Sequence, residues 1–463
     1  MNKLVILTFL IGFTFACKGP TDKKDNTMNP FTGAIGEVKL ITLDPGHFHA
    51  ALIQKKMYDQ IFPEVKVYAP EGNELKSHLT FIEGYSARSE DPTSWKEIVY
   101  TGPDFYEKMI AEKPGNVLVL AGNNAKKTEY ISGAVKNGIN VLADKPMVIT
   151  PEKFDLLLQA FNEAKNQNVI LYDVMTERFE VTTILQKKLS LIPVVFGELQ
   201  KGSIEEPAIT KESVHHFYKS VSGKPLVRPA WFYDVEQQGE GIVDVTTHLV
   251  DLVQWECFPD QIIDYTKDIK VLSAKHWTTS INPKQFEKST NLREYPDYLK
   301  KDISGDTLKV YSNGVFVYDI KGVHAKISVI WNFEAPAGTG DTHYSIMRGS
   351  SANIIIRQGA EENYKPTLYV EALPGKNIQF ELEKAIDEDL QRLYPGITLE
   401  KLKEGFWKVN IPDVYKVSHE EHFGQVTEKY LSFLVDGKLP DWEVPNMIAK
   451  YYTTTEALRK ARE

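Results

Sequence analysis

The fold is decided by one stretch near the start of the chain, Val38-Lys39-Leu40-Ile41-Thr42-Leu43-Asp44-Pro45-Gly46-His47-Phe48-His49-Ala50-Ala51. Its first six residues are mostly apolar and of the β type. A turn with aspartate, proline and glycine separates them from small residues that can begin a helix. A strand that leads through such a turn into a helix is the first half of a βαβ unit. The stretch therefore predicts a parallel sheet covered by helices.

The same alternation continues to about residue 177. Further apolar runs predict strands at Val65–Tyr68, Glu97–Tyr100, Asn116–Leu120, Ile139–Leu142 and Val169–Tyr172. Amphipathic segments between them predict helices near residues 50–53 and 105–110, at 128–137 with Gly138 as the cap, and at 151–166. This order predicts an α/β domain of the Rossmann type over residues 37–177.

Beyond about Arg178 the apolar runs become longer and alternate with polar residues, as at Val315–Tyr318 and Ala325–Trp331. Helices are expected again near the end, at Glu421–Val435 and from Pro445. This pattern predicts an α+β domain with a large, mostly antiparallel sheet over residues 178–463. Two domains are also what a chain of 463 residues favours.

The first residues are typical of a bacterial lipoprotein signal. Lys3 precedes a short apolar run, Leu4–Phe15, which ends in Ala16-Cys17. We expect cleavage after residue 16, lipidation at Cys17 and a flexible tether over residues 18–36. Ordinary cleavage with an unmodified Cys17 is the alternative. The run is too short to span a bilayer, so the expected location is periplasmic or cell-surface, with a lipid as the only membrane anchor.

Composition excludes some partners. The net charge of −9 and pI near 5.8 argue against nucleic acid, because backbone phosphates require a basic surface. A small neutral substrate fits better, and a homo-oligomer is compatible with the sequence. The second cysteine, Cys257, lies in an apolar setting and is expected to be a buried structural thiol.

The turn after the first strand occupies the position of a dinucleotide-binding phosphate loop. Glycines in such a loop let backbone N–H groups approach a pyrophosphate. Only one glycine remains here, so Gly46, His47 and Phe48 are candidate cofactor contacts, and a plain βα turn is an equal alternative.

Glu71 follows the second strand, where the adenosine ribose lies in a dinucleotide fold. A carboxylate there accepts hydrogen bonds from ribose hydroxyls and repels a 2′-phosphate, so NAD is expected in preference to NADP. The alternative is that Glu71 only decorates a turn.

Two later strands also end in polar residues. Asn123 and Asn124 follow the fourth strand, and Asp144 and Lys145 follow the fifth. Because ligands bind at the carboxyl ends of parallel strands, all four are candidates to contact the cofactor. Lys145 is also the candidate to reach the substrate, although a solvated lysine at the strand end is the alternative.

A polar stripe is predicted in an otherwise apolar segment downstream. In a helix, Asp244, His248 and Asp251 would share one face at i, i+4 and i+7. Buried acids and histidines need partners or a chemical task. A satisfied core network and a fragment of a metal site are the alternatives. The metal alternative would have to recruit His215-His216, and we predict no metal.

The sequence resembles the glucose–fructose oxidoreductase / inositol dehydrogenase / rhizopine-catabolism (Gfo/Idh/MocA) family. Asp144-Lys145-Pro146 resembles the family's Glu-Lys-Pro, and the segment Gly239–Leu252 resembles its Gly-Gly-Gly-x-x-x-Asp-x-x-x-His-x-x-Asp motif through Asp244, His248 and Asp251. Arg228 and Trp231 resemble the run-in to that motif. Asp144 in place of glutamate, Glu240 within the glycine run and the degenerate phosphate loop depart from the pattern.

The resemblance implies an NAD(P)-dependent oxidoreductase acting on a sugar, glycoside or polyol. His248 would be the general base, Lys145 would stabilise the alkoxide, and Asp244 would orient His248 or bind a hydroxyl. Arg228 and Trp231 would contact the substrate.

Outside the cytoplasm no pool of free NAD is replenished, so the cofactor should be held tightly and regenerated within the cycle. Redox-neutral glycoside cleavage by oxidation and elimination is one alternative reaction. A non-catalytic glycan-binding lipoprotein is another.

Overall fold

A computed structural model describes residues 31–221 and 224–463. The expected signal segment, Cys17 and the tether up to residue 30 lie outside these residues. Residues 31–36, the end of the predicted tether, already contact the first domain. Phe31 packs against its core, and the Gly36 N–H donates to the Asp59 carbonyl.

The first domain is a parallel sheet of the strand order β3-β2-β1-β4-β5-β6. The strands are β1 Leu40–Leu43, β2 Glu64–Tyr68, β3 Lys96–Tyr100, β4 Val117–Leu120, β5 Asn140–Asp144 and β6 Leu171–Val174. The order reverses between β1 and β4, which makes a crevice at the carboxyl edge of the sheet. The predicted Rossmann-type sheet is confirmed.

Five helices connect these strands: α1 His49–Leu52, α2 Asn73–Ala87, α3 Phe105–Glu112, α4 Lys127–Lys136 and α5 Phe154–Gln167. The first is a single turn, much shorter than a dinucleotide-binding fold usually has. The second was not predicted, because its sequence has few regularly spaced apolar residues and buries only Leu75, His78 and Ile82.

The second domain is built on a large sheet. Among the described residues its path is β10-β12-β13-β7-β14-β15-β16-β18-β17, with β11 paired to β12. Every pair is antiparallel except β13 with β7, as predicted. The strands are β7 Ile209–Tyr218, β8 Ser220–Val221, β9 Lys224–Pro225, β10 Ile269–Ile281, β11 Ile303–Ser304, β12 Thr307–Ile320, β13 Val323–Glu334, β14 Thr342–Arg348, β15 Ala352–Arg357, β16 Thr367–Ala372, β17 Thr398–Lys403 and β18 Phe406–Asn410. Of these, β8 and β9 pair with each other in a separate two-stranded sheet.

Helices cover one side of this sheet and its ends. They are α6 Val181–Ser190, α7 Pro193–Phe196, α8 Val235–Gln238, α9 Thr246–Cys257, α10 Pro283–Thr290, α11 Gln379–Lys384, α12 Gln391–Leu393, α13 His419–Asp436 and α14 Glu443–Ala461. The last two return to the first domain, because Phe423, Tyr430 and Tyr451 are part of its apolar core. Cys257 is free and only partly buried, between two apolar clusters of the second domain.

A buried ionic network joins the end of β6 to α9 and α14. Arg178 donates two hydrogen bonds of 2.7 Å to Asp251 and one of 2.8 Å to Glu443. Lys450 contacts Asp251 at 2.9 Å and Asp173 at 2.7 Å. These groups are nearly inaccessible to solvent, so each charge depends on its partners.

Over residues 31–221 and 224–463, none of the helices is both long enough and apolar enough to cross a membrane.

Candidate functional site

Two cavities meet at the carboxyl edge of the first sheet. The larger, of about 780 Å³, lies between the domains and includes Lys145, Asp244 and His248 in its lining. The smaller, of about 510 Å³, lies over the ends of β1, β2 and β4 and includes Gly46, Glu71 and Asn123. The structure therefore places most of the predicted residues in one or the other of these two cavities.

Lys145, directly after β5, crosses to the second domain. Its Nζ donates a 2.6 Å hydrogen bond to Asp244 Oδ1, and Gln238 donates a 3.0 Å bond to Asp244 Oδ2. Burial disfavours the ammonium, but Asp244 and Asp144 outweigh it and raise the pKa of Lys145. Lys145 is therefore a cation at neutral pH, and Asp244 orients Lys145; no contact between Asp244 and His248 is present among the described residues.

His248 lines the larger cavity from the first turns of α9. Burial first, and then the charge of Lys145, hold the pKa of its imidazole well below the ordinary value. The ring is therefore neutral at neutral pH and free to accept a proton. Its Nδ1 is buried and has no hydrogen-bond partner among the described residues.

The predicted stripe of three polar residues on one helix is wrong. Asp244 lies in the turn before α9, which begins only at Thr246. In this turn Gly241 approaches β12 closely, and a Cβ at this position would lie 1.8 Å from the Ser312 carbonyl oxygen. The turn therefore requires glycine there. Asp251 points away from the cavity into the ionic network, because the buried Arg178 and Lys450 require an anion.

Glu240, which interrupts the expected glycine run, makes contacts that give it a structural role. Its buried carboxylate contacts His276 Nδ1 at 2.5 Å and the Arg462 guanidinium at 2.8 Å. It thereby joins β10 to the end of α14, and the glycines on either side make the turn.

The turn after β1 does not present free donors in the way the phosphate-loop prediction required. The backbone N–H groups of Gly46 and His47 both donate to the Ala121 carbonyl at 3.2 Å. A Cβ on Gly46 would lie 3.2 Å from the Trp231 ring, so a glycine is suited to this approach. Gly46 lies in the smaller cavity, whereas His47 and Phe48 lie in the larger one. A dinucleotide spanning both would pass this turn.

His49 reaches from α1 to the end of β5. Its Nδ1 is 2.9 Å from Asp144 Oδ2, and His47 Nδ1 is 3.9 Å from the same oxygen. Burial holds the pKa values of both imidazoles well below the ordinary value. Asp144, predicted to contact the cofactor, lies behind these two rings and does not line the cavity itself.

The smaller cavity is rich in carboxylates. Glu71 is exposed at its edge, and Glu74 and Asp44, which sequence reasoning missed, also line it. Asp44 accepts a 3.2 Å hydrogen bond from Tyr130, and burial raises the pKa of its carboxyl. Lys126 supplies the opposite charge. This lining suits a neutral ribose better than a ribose carrying a phosphate.

The two asparagines after β4 have different positions. Asn123 lines the smaller cavity and donates to Gln237 at 2.7 Å. Asn124 is buried and donates to the Gln238 carbonyl at 2.7 Å, so it holds α8 and lines neither cavity.

Arg228 and Trp231 line different cavities. Arg228 lines the larger cavity, but its guanidinium donates to the carbonyls of His216 and Phe217 and lies over the Phe232 ring. Trp231 lines the smaller cavity beside Gly46. Trp231 therefore lies outside the lining of the cavity that holds Lys145 and His248, whereas the sequence predicted that it contacts the substrate.

Sequence reasoning missed several residues of the larger cavity. Seven of the eleven histidines of the chain line it: His47, His49, His215, His248, His343, His419 and His422. Glu177 lies there too, 3.9 Å from His419, and burial together with Glu180 raises the pKa of Glu177 to about 7. Glu177 follows β6, so the rule used for Lys145 would have identified it. His419 begins α13, far along the chain, and no sequence pattern marks it.

His215 and His216 do not join Asp244 and His248, as the metal alternative required. Their Nδ1 atoms lie 2.9 and 3.3 Å from the two oxygens of Asp341, which also accepts a hydrogen bond from Lys219.

Two family models match the chain. Residues 68–172 match "Oxidoreductase family, NAD-binding Rossmann fold", and residues 185–462 match "Putative oxidoreductase C terminal domain". No curated protein matches the sequence.

The chain is also similar to solved structures. A "putative oxidoreductase" from Parabacteroides merdae ATCC 43184 is 61% identical, with a TM-score of 0.92 over 94% of this chain and 99% of that one. Levoglucosan dehydrogenase with NADH and levoglucosan is 10% identical, with a TM-score of 0.57 over 92% and 97%. A "putative myo-inositol dehydrogenase" from Sinorhizobium meliloti 1021 is 12% identical, with a TM-score of 0.52 over 92% and 97%. The last two likenesses show a shared fold.

Proposed function

The chain belongs to the Gfo/Idh/MocA oxidoreductase family and is an NAD(P)-dependent oxidoreductase, and from this premise we propose that it oxidises a hydroxyl group of a sugar, glycoside or polyol. The observation that carries the proposal is that Lys145 from the first domain and His248 from the second line one cavity. Sugar and polyol dehydrogenases among the structural neighbours support this substrate class.

The residues fit a bound NAD in two halves. Glu71, Glu74 and Asn123 would hold the adenosine half in the smaller cavity, with Trp231 beside the turn between the cavities. The nicotinamide half would lie in the larger cavity near Lys145. Bound NAD supplies the hydride acceptor.

Loss of a hydride from a carbinol also requires loss of the hydroxyl proton. His248, neutral and in the lining of the larger cavity, would accept that proton. Lys145, held as a cation by Asp244, would stabilise the developing alkoxide. His248 is a weak base because its pKa is low, so the cationic Lys145 is needed to acidify the hydroxyl beside it.

The anchored, exported location remains part of the proposal. If Cys17 is lipidated outside the cytoplasm, the cofactor must be retained through many turnovers. Denaturing the purified protein should release NAD, identified by absorbance and mass. Recovery of no dinucleotide from protein that also fails to bind added NAD would refute the proposal.

A second reaction, redox-neutral glycoside cleavage, is favoured by one observation. Oxidation next to a C–H bond acidifies that proton, and elimination of the aglycone then needs a further base and acid. Glu177 and His419, whose side chains lie 3.9 Å apart in the same cavity, would serve as this second base and acid beside Lys145 and His248. Their pKa values, about 7 and about 4, suit proton exchange.

An aryl glycoside distinguishes the two reactions. Cleavage predicts release of the phenol without accumulation of NADH, and exchange of the C2 proton for deuterium in D₂O. Simple oxidation predicts reduced cofactor and an intact glycosidic bond.

A further inference from the structure

Over residues 31–221 and 224–463, no lysine or arginine side chain makes a direct contact with the carboxylate of Asp144. It is nearly buried, with 8% of its side chain exposed, and its Oδ2 faces the two imidazoles of His47 and His49. Within the described part of the chain, no lysine or arginine nitrogen lies within 4.0 Å of this carboxylate. Lys145 turns instead to Asp244, and Lys127 donates only to the backbone carbonyl of Asp144. Lys145 and Lys127 act on this carboxylate only through space, so the buried anion has no cation in direct contact, which is costly.

Two imidazoles and this carboxylate converge on one point. One donor atom from each of His47, His49 and Asp144 lies within 4.8 Å of the other two. We propose that these three residues bind a divalent transition-metal ion, which supplies the missing positive charge.

The donor set indicates the kind of ion. Two histidine nitrogens and one carboxylate oxygen are typical of catalytic zinc and of other first-row ions, whereas calcium and magnesium prefer oxygen alone. Three protein ligands leave coordination positions open. Since His47 and His49 also line the larger cavity, an oxygen of a ligand there would complete the coordination. That last role rests on the proposed function, but binding of the ion does not.

A second cluster of the same composition serves as a comparison. His215 and His216 both contact Asp341, but Lys219 also donates directly to Asp341. A cation is already present there, so this second cluster does not require an ion. Its histidines therefore provide a matched control.

The experiment measures metal binding without using activity. The purified protein, with the cofactor it retains, is treated with a chelator, dialysed and titrated with Zn²⁺. The bound ion is counted by mass spectrometry, and Co²⁺ gives an absorption spectrum of the coordination. We expect a single ion per chain. His49→Ala and Asp144→Asn should each weaken binding by at least about 100-fold, and His215→Ala should bind as the wild type does.

The outcomes are distinct. If the wild type binds no stoichiometric Zn²⁺, or if His49→Ala and Asp144→Asn bind it as tightly as the wild type, the inference is wrong. Loss of the ion in His215→Ala alone would also overturn it. Thermal unfolding curves separate loss of the site from loss of the fold. A wild type that binds the ion but transfers no hydride would refute the proposed function and leave this inference standing.

Discussion

Lys145 Nζ and Asp244 Oδ1, from two different domains and 99 residues apart, form a 2.6 Å hydrogen bond across the larger cavity. The bond holds an ammonium group beside a neutral imidazole, that of His248, whose pKa the same ammonium helps to depress. The Lys145 ammonium and the His248 imidazole are thus arranged for removal of a hydroxyl proton.

His248→Ala and Lys145→Ala should each lower turnover by about two to four orders of magnitude, the usual scale for lost acid–base help. Because both residues serve one proton transfer, the double variant should lose much less than the product of the two effects. Steady-state kinetics measure this, with NAD binding by His248→Ala as the control. Wild-type turnover in a single variant would remove that residue from the mechanism, and full additivity would show that the two act independently.

Glu71→Gln combined with Glu74→Gln should narrow the preference for NAD over NADP. Both carboxylates line the smaller cavity, where they would repel a 2′-phosphate. Fluorescence titration with both cofactors measures the ratio. Glu83→Gln, an exposed acid on the same helix, is the matched control. A wild type that prefers NADP would show that the ribose does not lie there.

Glu177→Gln should stabilise the protein at alkaline pH. The carboxyl has a pKa of about 7 in the fold against an ordinary value of 4.5. Below pH 4.5 both folded and unfolded chains hold the proton. As pH rises from 4.5 through 7 the unfolded chain ionises first, so the wild type loses stability over this window. Glu180, Asp341 and His419 also face this carboxyl, and Lys145 opposes the shift.

Thermal unfolding at pH 4.5 and pH 8 measures the effect, with the exposed Glu152→Gln as control. If Glu177→Gln raised the unfolding temperature equally at both pH values, the raised pKa of Glu177 would be contradicted.

Asp251→Asn should destabilise the fold by about 3–5 kcal/mol, because it leaves the buried Arg178 and Lys450 without their shared anion. Burial alone would raise the pKa of Asp251, but these two cations outweigh it and lower the pKa well below the ordinary value. The carboxylate therefore contributes stability above its ordinary pKa, and this is lost as pH falls toward the folded value. Urea unfolding at neutral and acid pH tests this, and a loss below about 1 kcal/mol would argue against the network.

Cys17→Ser should abolish lipidation and release the protein from membranes. The apolar run that ends in Ala16-Cys17 carries this expectation. Metabolic labelling with a fatty-acid analogue and membrane fractionation measure it, with Cys257→Ser as the matched control. Unchanged labelling in Cys17→Ser would rule out this anchor.

The parallel sheet could be predicted because strand and helix periodicities are local. Each apolar run, such as Val117–Leu120, can be recognised as a buried strand from its own residues, without knowledge of its neighbours in the fold. The same holds for the carboxyl-end rule, which identified Lys145 without knowledge of its partner. The prediction failed for α2 because its stability comes from burying Leu75 and Ile82 in the core of the first domain rather than from its own pattern.

The sequence by itself determined the parallel sheet followed by a large, mostly antiparallel sheet, the family and the residues at the strand ends, because periodicity and short motifs encode them. Tertiary structure alone decided that Asp244 pairs with Lys145 rather than with His248 and that Asp251 belongs to a buried network. It alone also brought His49, His215 and His419 to one cavity. Such contacts join residues tens to hundreds of positions apart, and they depend on burial and charge balance, which no local pattern records.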